Sequence, residues 1–318
     1  MKVFKNIIIC IMISLTIQFG GLFYLNNYFL AGNTAVKSQK VVNSKIKIAK
    51  FNVPDNAKTI NVSYDGSYIA YYLDNVLYVV NTITGESNNV SFSSGVTVSF
   101  YKWVPDRNRM LISEKKNSNL SLSYYDVDKS QKNNISDIAM VSPTAEVTDI
   151  EAAPLPNVIY MKVANDAKSD AIYWENIMKS KKKINTKTNN IGNIEVVPHE
   201  DKMVYEDLTN NKVDVTGMNN ALSFSGSTKS CLLEIDDNDQ VYIGNVDSNN
   251  NIDKIYFGSL KDNTSNWQTI QLSSPVSKAD LFVTTSGKVY INDNLKSTVT
   301  EFQTGKKNSL QRYIPSIL

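Results

Sequence analysis

Histidine, a residue type common in catalytic sites, occurs only once in this 318-residue chain. His199, the single histidine, follows Pro198 in a segment expected to be a turn between two strands. A catalytic triad needs histidine beside its nucleophile, and a zinc site needs several nitrogen or sulfur ligands. We therefore expect His199 to be a solvated turn residue, and the sequence assigns no catalytic residue.

Cysteine is almost as rare, and its two copies lie in different parts of the chain. Cys10 lies within an apolar N-terminal run, where bulky neighbours make it a poor site for lipid attachment. Cys231 is the only cysteine beyond that run, so the domain that follows cannot contain an internal disulfide. Its segment alternates like a strand, and a buried, unreactive thiol is expected.

One segment, 247–253, has oxygen ligands at alternate positions, which is the spacing of a calcium-binding loop. The candidate ligands are Asp247, Asn249, Asn251 and Asp253. Ile252 replaces the glycine that such loops need, and Gly258 stands where their last glutamate is expected. The favoured interpretation is a polar hairpin loop, with calcium as the alternative. No other cofactor is predicted.

Two further features bear on partners. The lysine-rich run Lys179–Lys183 is expected to be a solvated connection, and the alternative is contact with anionic lipid or an acidic wall polymer. The chain has 17 tyrosines and three tryptophans, most of them at strand positions where core packing is expected. Trp267 lies in a loop-like stretch and is the best candidate for an exposed, ligand-binding aromatic residue.

Charge and length limit the class of protein. Lys plus Arg number 33 and Asp plus Glu number 31, so the chain lacks the basic field that nucleic-acid binding requires, and no nucleic-acid partner is expected. Without an N-terminal leader, the remaining length fits one closed all-β domain better than two ordinary domains. The abundance of Asn, Lys, Ile and Ser suits an AT-rich bacterial genome.

The N-terminus has the pattern of a membrane segment, because Ile7–Leu25 is almost wholly apolar and long enough to cross a bilayer. We expect residues 1–32 to be a transmembrane anchor or signal helix, residues 33–45 a tether, and residues 46–318 the folded domain. Lysines flank the apolar run on both sides. The favoured topology is a single pass through the cell membrane with the domain outside, and the alternative is secretion after cleavage.

A sequence pattern that recurs six times between Asn61 and Lys306 predicts the strands and turns that would position these residues. Each copy has an apolar or aromatic strand, a turn rich in Pro, Asp, Asn or Gly, and two further strands. The copies follow one another at about 40–50 residues, the period of a propeller blade. This pattern predicts an all-β propeller, with six blades favoured and five or seven as alternatives. A strand at Lys45–Phe51 is expected to pair with the last blade and close the ring.

Two copies carry a more specific signature. Tyr64–Tyr71 has the sequence YDGSYIAY, and Val104–Arg107 has the sequence VPDR. These segments resemble blades of TolB-type and WD-repeat-like β-propeller proteins, and are similar to the propeller domain of prolyl dipeptidases without its hydrolase domain. The resemblance implies a propeller over nearly the whole chain after the tether, and it carries no catalytic residue. Later copies depart from the signature, at Pro198 and Asp236.

These observations predict a membrane-tethered, extracytoplasmic propeller that acts as a non-enzymatic binding or scaffold module for a protein or a cell-envelope glycan. The alternative is a carboxylate-based hydrolase or lyase at the mouth of the propeller channel, because paired carboxylates can act without histidine. A third hypothesis is a sensory domain that reports ligand occupancy through the anchor and signals with the help of another chain.

Overall fold

The computed structural model describes residues 51–166, 169–293, 295–296, 298–302 and 307–309, together with Ala49 and eight residues between Asn6 and Leu22. The chain divides into two compact units, 1–47 and 48–318. The eight described residues of the first unit have helical backbone, but the described residues contain no helix long and apolar enough to span a bilayer. The predicted N-terminal helix is therefore not supported. Most of residues 1–32 and the whole predicted tether lie outside the described residues.

The second unit is an all-β propeller of six blades, in which each blade is an antiparallel sheet of strands that follow one another in the chain. Blade 1 contains β1 (Lys58–Val62), β2 (Tyr68–Leu73), β3 (Val76–Asn81) and β4 (Ser87–Val90). Blade 2 contains β5 (Thr97–Trp103), β6 (Arg109–Lys116), β7 (Asn119–Asp126) and β8 (Gln131–Met140). Blade 3 contains β9 (Glu146–Ala153), β10 (Val158–Asp166), β11 (Ser169–Asn176) and β12 (Lys181–Ile184).

Blade 4 has three strands, β13 (Ile191–Val196), β14 (Met203–Asp207) and β15 (Lys212–Val215). Blade 5 contains β16 (Ser230–Ile235), β17 (Gln240–Val246), β18 (Asn251–Ser259) and β19 (Gln268–Ser277). Blade 6 contains β20 (Leu281–Val283), β21 (Val289–Asp293), β22 (Thr298–Glu301) and β23 (Lys307–Ser309). Short 3-10 helices at Thr264–Asn266 and Lys278–Asp280 flank β19. The six-bladed form predicted from the repeats is confirmed.

The hairpin between β2 and β3 shows how local sequence sets the strands. Leu73 pairs with Val76, so Asp74 and Asn75 form a two-residue turn. Their φ angles are 48° and 63°, both in the left-handed region. A turn with two such residues matches the twist of the flanking strands, and Asp and Asn tolerate this conformation better than most residues. The predicted hairpin is confirmed.

Apolar side chains fill the spaces between neighbouring blades. The described residues form five buried clusters, and each draws its members from two consecutive blades, from blades 1 and 2 to blades 5 and 6. Between blades 1 and 2, Leu77 and Val79 pack with Tyr101 and Met110. Burying one such side chain contributes about 1.5–3 kcal/mol, so each blade depends on its neighbour to cover its apolar face.

The expected closing strand is not found among the described residues. Ala49 and residues 51–57 lie outside any strand, and the four described strands of blade 6 are consecutive in the chain. The other residues of Lys45–Phe51 lie outside the described part of the chain.

Candidate functional site: an acidic cavity in the propeller channel

The first strands of consecutive blades are neighbours in space, with β5 between β1 and β9, and β13 between β9 and β16. Four of these strands bring charged side chains close together. The side chains are those of Lys102 on β5, Asp149 and Glu151 on β9, Glu195 on β13 and Glu234 on β16. This cluster, the channel cluster, contains one ammonium group and four carboxyl groups.

The alternation of side chains along a strand explains how these polar groups avoid the core. Tyr101 and Trp103 are buried in the cluster between blades 1 and 2, so Lys102 between them points to the opposite face of β5. In the same way Ile150 is buried in the cluster between blades 2 and 3, and Glu151 follows it on the other face.

An irregularity in β16 places the last member. The pairing of β16 with β17 skips Leu233, since Leu232 pairs with Ile243 while Glu234 pairs with Tyr242. An extra residue in one strand reverses the alternation locally. Leu232 is therefore fully buried while Glu234, two residues later, reaches the channel cluster.

Lys102 is the electrostatic centre of the cluster. Its Nζ forms an ion pair with Glu151 and lies 3.6 Å from Oδ1 of Asp149. Burial alone would lower the pKa of the Lys102 ammonium, but the carboxylates of Glu151, Asp149 and Glu195 raise this pKa overall. Lys102 therefore carries its positive charge throughout the physiological range.

The carboxyl groups compete for this single cation. Burial raises the pKa of Glu151 to about 7, against the attraction of Lys102 and with repulsion from Asp149. Burial and the neighbouring carboxylates Glu151 and Glu234 hold the pKa of Glu195 well above its ordinary value. Burial likewise raises the pKa of Glu234. Because a buried carboxylate without a counter-ion is costly, the cluster retains protons near neutral pH.

Four members of the channel cluster line a cavity of about 640 Å³, namely Lys102, Glu151, Glu195 and Glu234. Asp149 belongs to the cluster through its ion pair with Lys102. The turns between the first and second strands of the blades form the mouth of this cavity, and we call this end of the propeller the turn face. Arg107, Leu155, His199, Asp237 and Thr285 are among the lining residues supplied by these turns. The cavity is therefore both acidic within and open to the face where loops meet.

His199 lies at this mouth, in the turn between β13 and β14, as the sequence predicted. Its side chain is 50 % exposed, and Nδ1 lies 2.9 Å from Oδ1 of Asp239 in the next blade. No nucleophile pairs with the imidazole among its described hydrogen bonds. The geometry gives His199 a role in joining two turns.

The candidate calcium ligands form the hairpin between β17 and β18. Oδ1 of Asp247 accepts the backbone N–H groups of Asn249 and Asn251, at 2.8 and 2.9 Å. Oδ1 of Asp253 accepts the amide of Asn245 at 2.8 Å. Within the described part of the chain, no three His, Cys, Asp or Glu side chains lie close enough to hold a metal ion. The hydrogen bonds are those of a polar hairpin turn.

Trp267 is buried rather than exposed, which corrects the sequence-based expectation. It is 7 % exposed, it packs against Phe224 with ring centroids 5.3 Å apart, and its Nε1 donates to the carbonyl oxygen of Ser259 at 3.1 Å. A Cβ atom on Gly258 would lie 2.5 Å from the indole Cγ, so the glycine allows the ring to enter. Trp267 is a core residue of blade 5 and presents no free ring face.

The two remaining predictions give mixed results. The run Lys179–Lys183 is not only a connection, because Lys181–Ile184 forms β12, the outer strand of blade 3. Within it, Lys182 Nζ lies 4.3 Å from the ring centre of Trp174.

Cys231 is buried as expected, and burial raises the pKa of its thiol to about 12, which leaves it unreactive.

Sequence reasoning missed the channel cluster, although the repeats contain a signal. Four consecutive copies place a charged residue four positions before the centre of the turn, within Tyr-Lys-Trp, Ile-Glu-Ala, Ile-Glu-Val and Leu-Glu-Ile. The equivalent positions of blades 1 and 6 are Asn61 and Phe282. A charged residue in the same slot of successive blades predicts a charged channel, because the ring brings equivalent positions together.

Comparison with known proteins supports the fold. No model of a protein family matches the sequence, and no curated protein matches it. Among solved structures, an oligogalacturonate lyase in complex with manganese is similar with a TM-score of 0.57 and 11 % identity, over 80 % of this chain and 76 % of that one. The Dos1 propeller has a TM-score of 0.50 and 13 % identity, over 76 % and 66 %.

TolB from Acinetobacter baumannii is similar with a TM-score of 0.42 and 16 % identity, over 70 % of this chain and 55 % of that chain. At such identities a structural likeness concerns the fold alone. The predicted resemblance to known β-propellers is confirmed at that level by the lyase and Dos1 structures.

Proposed function

We propose that the propeller is a non-enzymatic binding module whose acidic channel receives a positively charged group of a partner. The observation that carries the proposal is that the carboxyl groups of Glu151, Glu195 and Glu234 line the same cavity as the Lys102 ammonium, and that this cavity opens on the turn face. A guest ammonium or guanidinium group would replace protons on the carboxyl groups whose pKa burial raises, chiefly those of Glu151 and Glu195. The guest would then form charge-assisted hydrogen bonds with these carboxylates.

The proposed partner is a protein segment with a basic residue next to apolar ones. Leu155, Ile177 and Met178 are large apolar side chains that are exposed on the turns of blade 3. Leu155 also lines the channel cavity, and exposed apolar side chains on this face favour a protein partner over a glycan, which binds through polar groups and aromatic stacking. The glycan remains the alternative partner.

The proposal includes the sequence-based topology, in which residues 1–32 tether the chain to the cell membrane and the propeller lies outside. It rests on the apolar run Ile7–Leu25. Protease added to intact cells should degrade the propeller while a cytoplasmic marker survives. Recovery of the intact propeller after this treatment, or of the whole chain in the culture medium, would contradict the tethered topology.

Calorimetry tests the channel directly, with the full-length chain and a tetralysine peptide as probe. We expect the affinity to rise as the pH increases through about 7, because Glu151 loses its proton there. Titrations in buffers with different ionisation enthalpies should show that the propeller releases protons when the peptide binds. Binding should weaken in high salt.

Two variants sharpen this test. Glu195→Gln removes a carboxylate from the channel cluster and should weaken binding about tenfold. Glu200→Gln removes a carboxylate that pairs with Lys202 and Lys261 outside the cluster, and should leave the affinity unchanged. Equal loss in both variants, or no proton release, would show that the channel is not the binding site. The natural partner can then be sought by pull-down from the native envelope with wild type and Glu195→Gln in parallel.

A second candidate is a carboxylate-based hydrolase or lyase with its site in the same cavity. The observation that favours it is the Glu151 carboxyl, whose pKa of about 7 suits a group that gives and takes protons, beside the cation Lys102. A panel of polysaccharides and esters incubated with wild type and Glu151→Gln separates the two functions. Turnover that the variant loses would establish the enzyme and refute the non-enzymatic proposal.

A further inference from the structure

A second cavity lies between blades 2 and 3 and has a different chemistry from the channel. Its volume is about 260 Å³, and most of its wall is apolar. Leu111, Ile135, Val158 and Ile159 are among its lining residues. It reaches the surface at the turn between β11 and β12, where the lining residue Ile177 is exposed. We call it the interblade pocket.

A buried carboxyl group with an unused oxygen lines this pocket. Glu175 is 1 % exposed, and its Oε2 accepts a hydrogen bond from Ser136 at 2.7 Å. Its Oε1 is buried and has no hydrogen-bond partner, and no ion pair involves Glu175 among the described residues. Buried polar atoms in native proteins are nearly always paired, so an unpaired carboxyl oxygen on a residue that lines a cavity indicates a missing partner.

Two other buried glutamates show what a complete environment looks like in this fold. Glu114 accepts hydrogen bonds from Ser123 and from Lys132, whose Nζ lies 2.8 Å from both carboxylate oxygens. Glu206 accepts two backbone N–H groups and pairs with Lys278. Glu175 accepts a hydrogen bond from a serine, as Glu114 does, but it has no lysine partner like that of Glu114 or Glu206.

A buried arginine of the same wall does not supply that charge. Arg109 lines the pocket, but its Nη2 pairs with Asp126 at 2.8 Å and its guanidinium lies over the Tyr124 ring, 4.5 Å from the centre. Its Nε is also buried without an acceptor. The pocket wall therefore holds two unpaired polar atoms in otherwise apolar surroundings.

We propose that the interblade pocket binds a small apolar amine, with its ammonium group donating to Oε1 of Glu175 and its apolar body against Leu111, Ile135 and Ile159. An ammonium supplies both a donor and the missing charge, whereas a hydroxyl supplies the donor alone. The amine is a free metabolite or the N-terminus of a chain with an apolar first residue. This site is distinct from the channel cluster, since Glu175 is not among its members.

A series of three nearly isosteric probes tests the assignment on the wild-type, full-length chain: 2-phenylethylamine, 2-phenylethanol and propylbenzene. We expect the amine to bind about tenfold more tightly than the alcohol, and the alcohol at least as tightly as the hydrocarbon. Equal affinity for the amine and the hydrocarbon would refute the proposal, and this comparison needs no variant. A peptide with a free N-terminal phenylalanine, compared with its acetylated form, distinguishes a chain terminus from a free metabolite.

Variants locate the contact. Glu175→Gln should lower the affinity for 2-phenylethylamine about tenfold while leaving that for propylbenzene unchanged. Glu114→Gln is the matched control, a buried glutamate outside the pocket, and should not change either affinity. Lys179→Met tests whether the pocket's own exposed lysine is the occupant. If Lys179 fills the site, this variant binds the amine more tightly than wild type does, and the proposal of an external amine is overturned.

Discussion

Replacing Glu151 by glutamine should change how the stability of the propeller depends on pH. In the folded protein the pKa of this carboxyl is raised to about 7, from 4.5 in an unperturbed chain, chiefly because it is buried. Between these two values the folded state keeps a proton that the unfolded chain has lost. The folded state is therefore favoured most below pH 4.5, and this advantage is lost as the pH rises towards 7.

The magnitude follows from the size of the shift. One pKa unit corresponds to about 1.4 kcal/mol, so the group lowers the free energy of unfolding by up to about 3 kcal/mol across this window. Glu151→Gln carries no titrating group at this position and should escape the loss. Lys102 keeps the Asp149 carboxylate as a partner in the variant, at 3.6 Å.

Urea denaturation at several pH values from 4 to 8 measures the effect, in about half-unit steps, with the free energy extrapolated to zero denaturant. The stability of the variant relative to wild type should increase with pH and level off above about 7. Glu200→Gln is the control, because the Lys202 and Lys261 partners lower the pKa of Glu200 and its stabilisation is lost only in acid. A difference between Glu151→Gln and wild type that stays constant from pH 4 to 8 would refute the assigned shift.

Three further predictions concern blade 5. Trp267→Ala should lower the free energy of unfolding by about 3–5 kcal/mol in urea denaturation, because it empties a buried site; a loss below about 1 kcal/mol would contradict the buried position. Gly258→Ala should lower the free energy of unfolding by about 1–3 kcal/mol, because the new Cβ collides with the indole ring. This destabilisation should be smaller in a protein that already carries Trp267→Ala. The Cys231 thiol should resist a thiol reagent in the native protein and react after denaturation, because burial raises its pKa to about 12; fast native labelling would show that the thiol is accessible.

The fold was predictable because each blade has its own local sequence pattern of strands and turns. Asp74 and Asn75 are turn residues with strands on both sides, and their backbone angles are those that a tight hairpin requires. The same alternation of strand and turn recurs in all six copies, so the blade count follows from the period. The predicted repeat contained three strands, as blade 4 does; the fourth, outer strand of the other five blades lay outside the recurring pattern.

The channel cluster was harder to predict because its members are far apart in the chain. Lys102, Glu151, Glu195 and Glu234 each look like the polar face of a half-buried strand when taken alone. Only the packing of consecutive blades makes them neighbours, and burial then shifts their pKa values. The wrong prediction that Trp267 is exposed has a similar cause. Its polar sequence neighbours predict a loop, whereas Phe224, which is distant in the sequence, provides the surface that buries it.

The arrangement of each sheet from successive strands has a consequence for how the chain acquires its structure. Hydrogen bonds within a blade join residues close in sequence, so the entropy lost in forming each sheet is small. Packing then requires only the blade before, as between Leu77 and Tyr101. The propeller can therefore assemble vectorially, one module at a time from the N-terminal end, as the polypeptide emerges from a ribosome or a translocation pore.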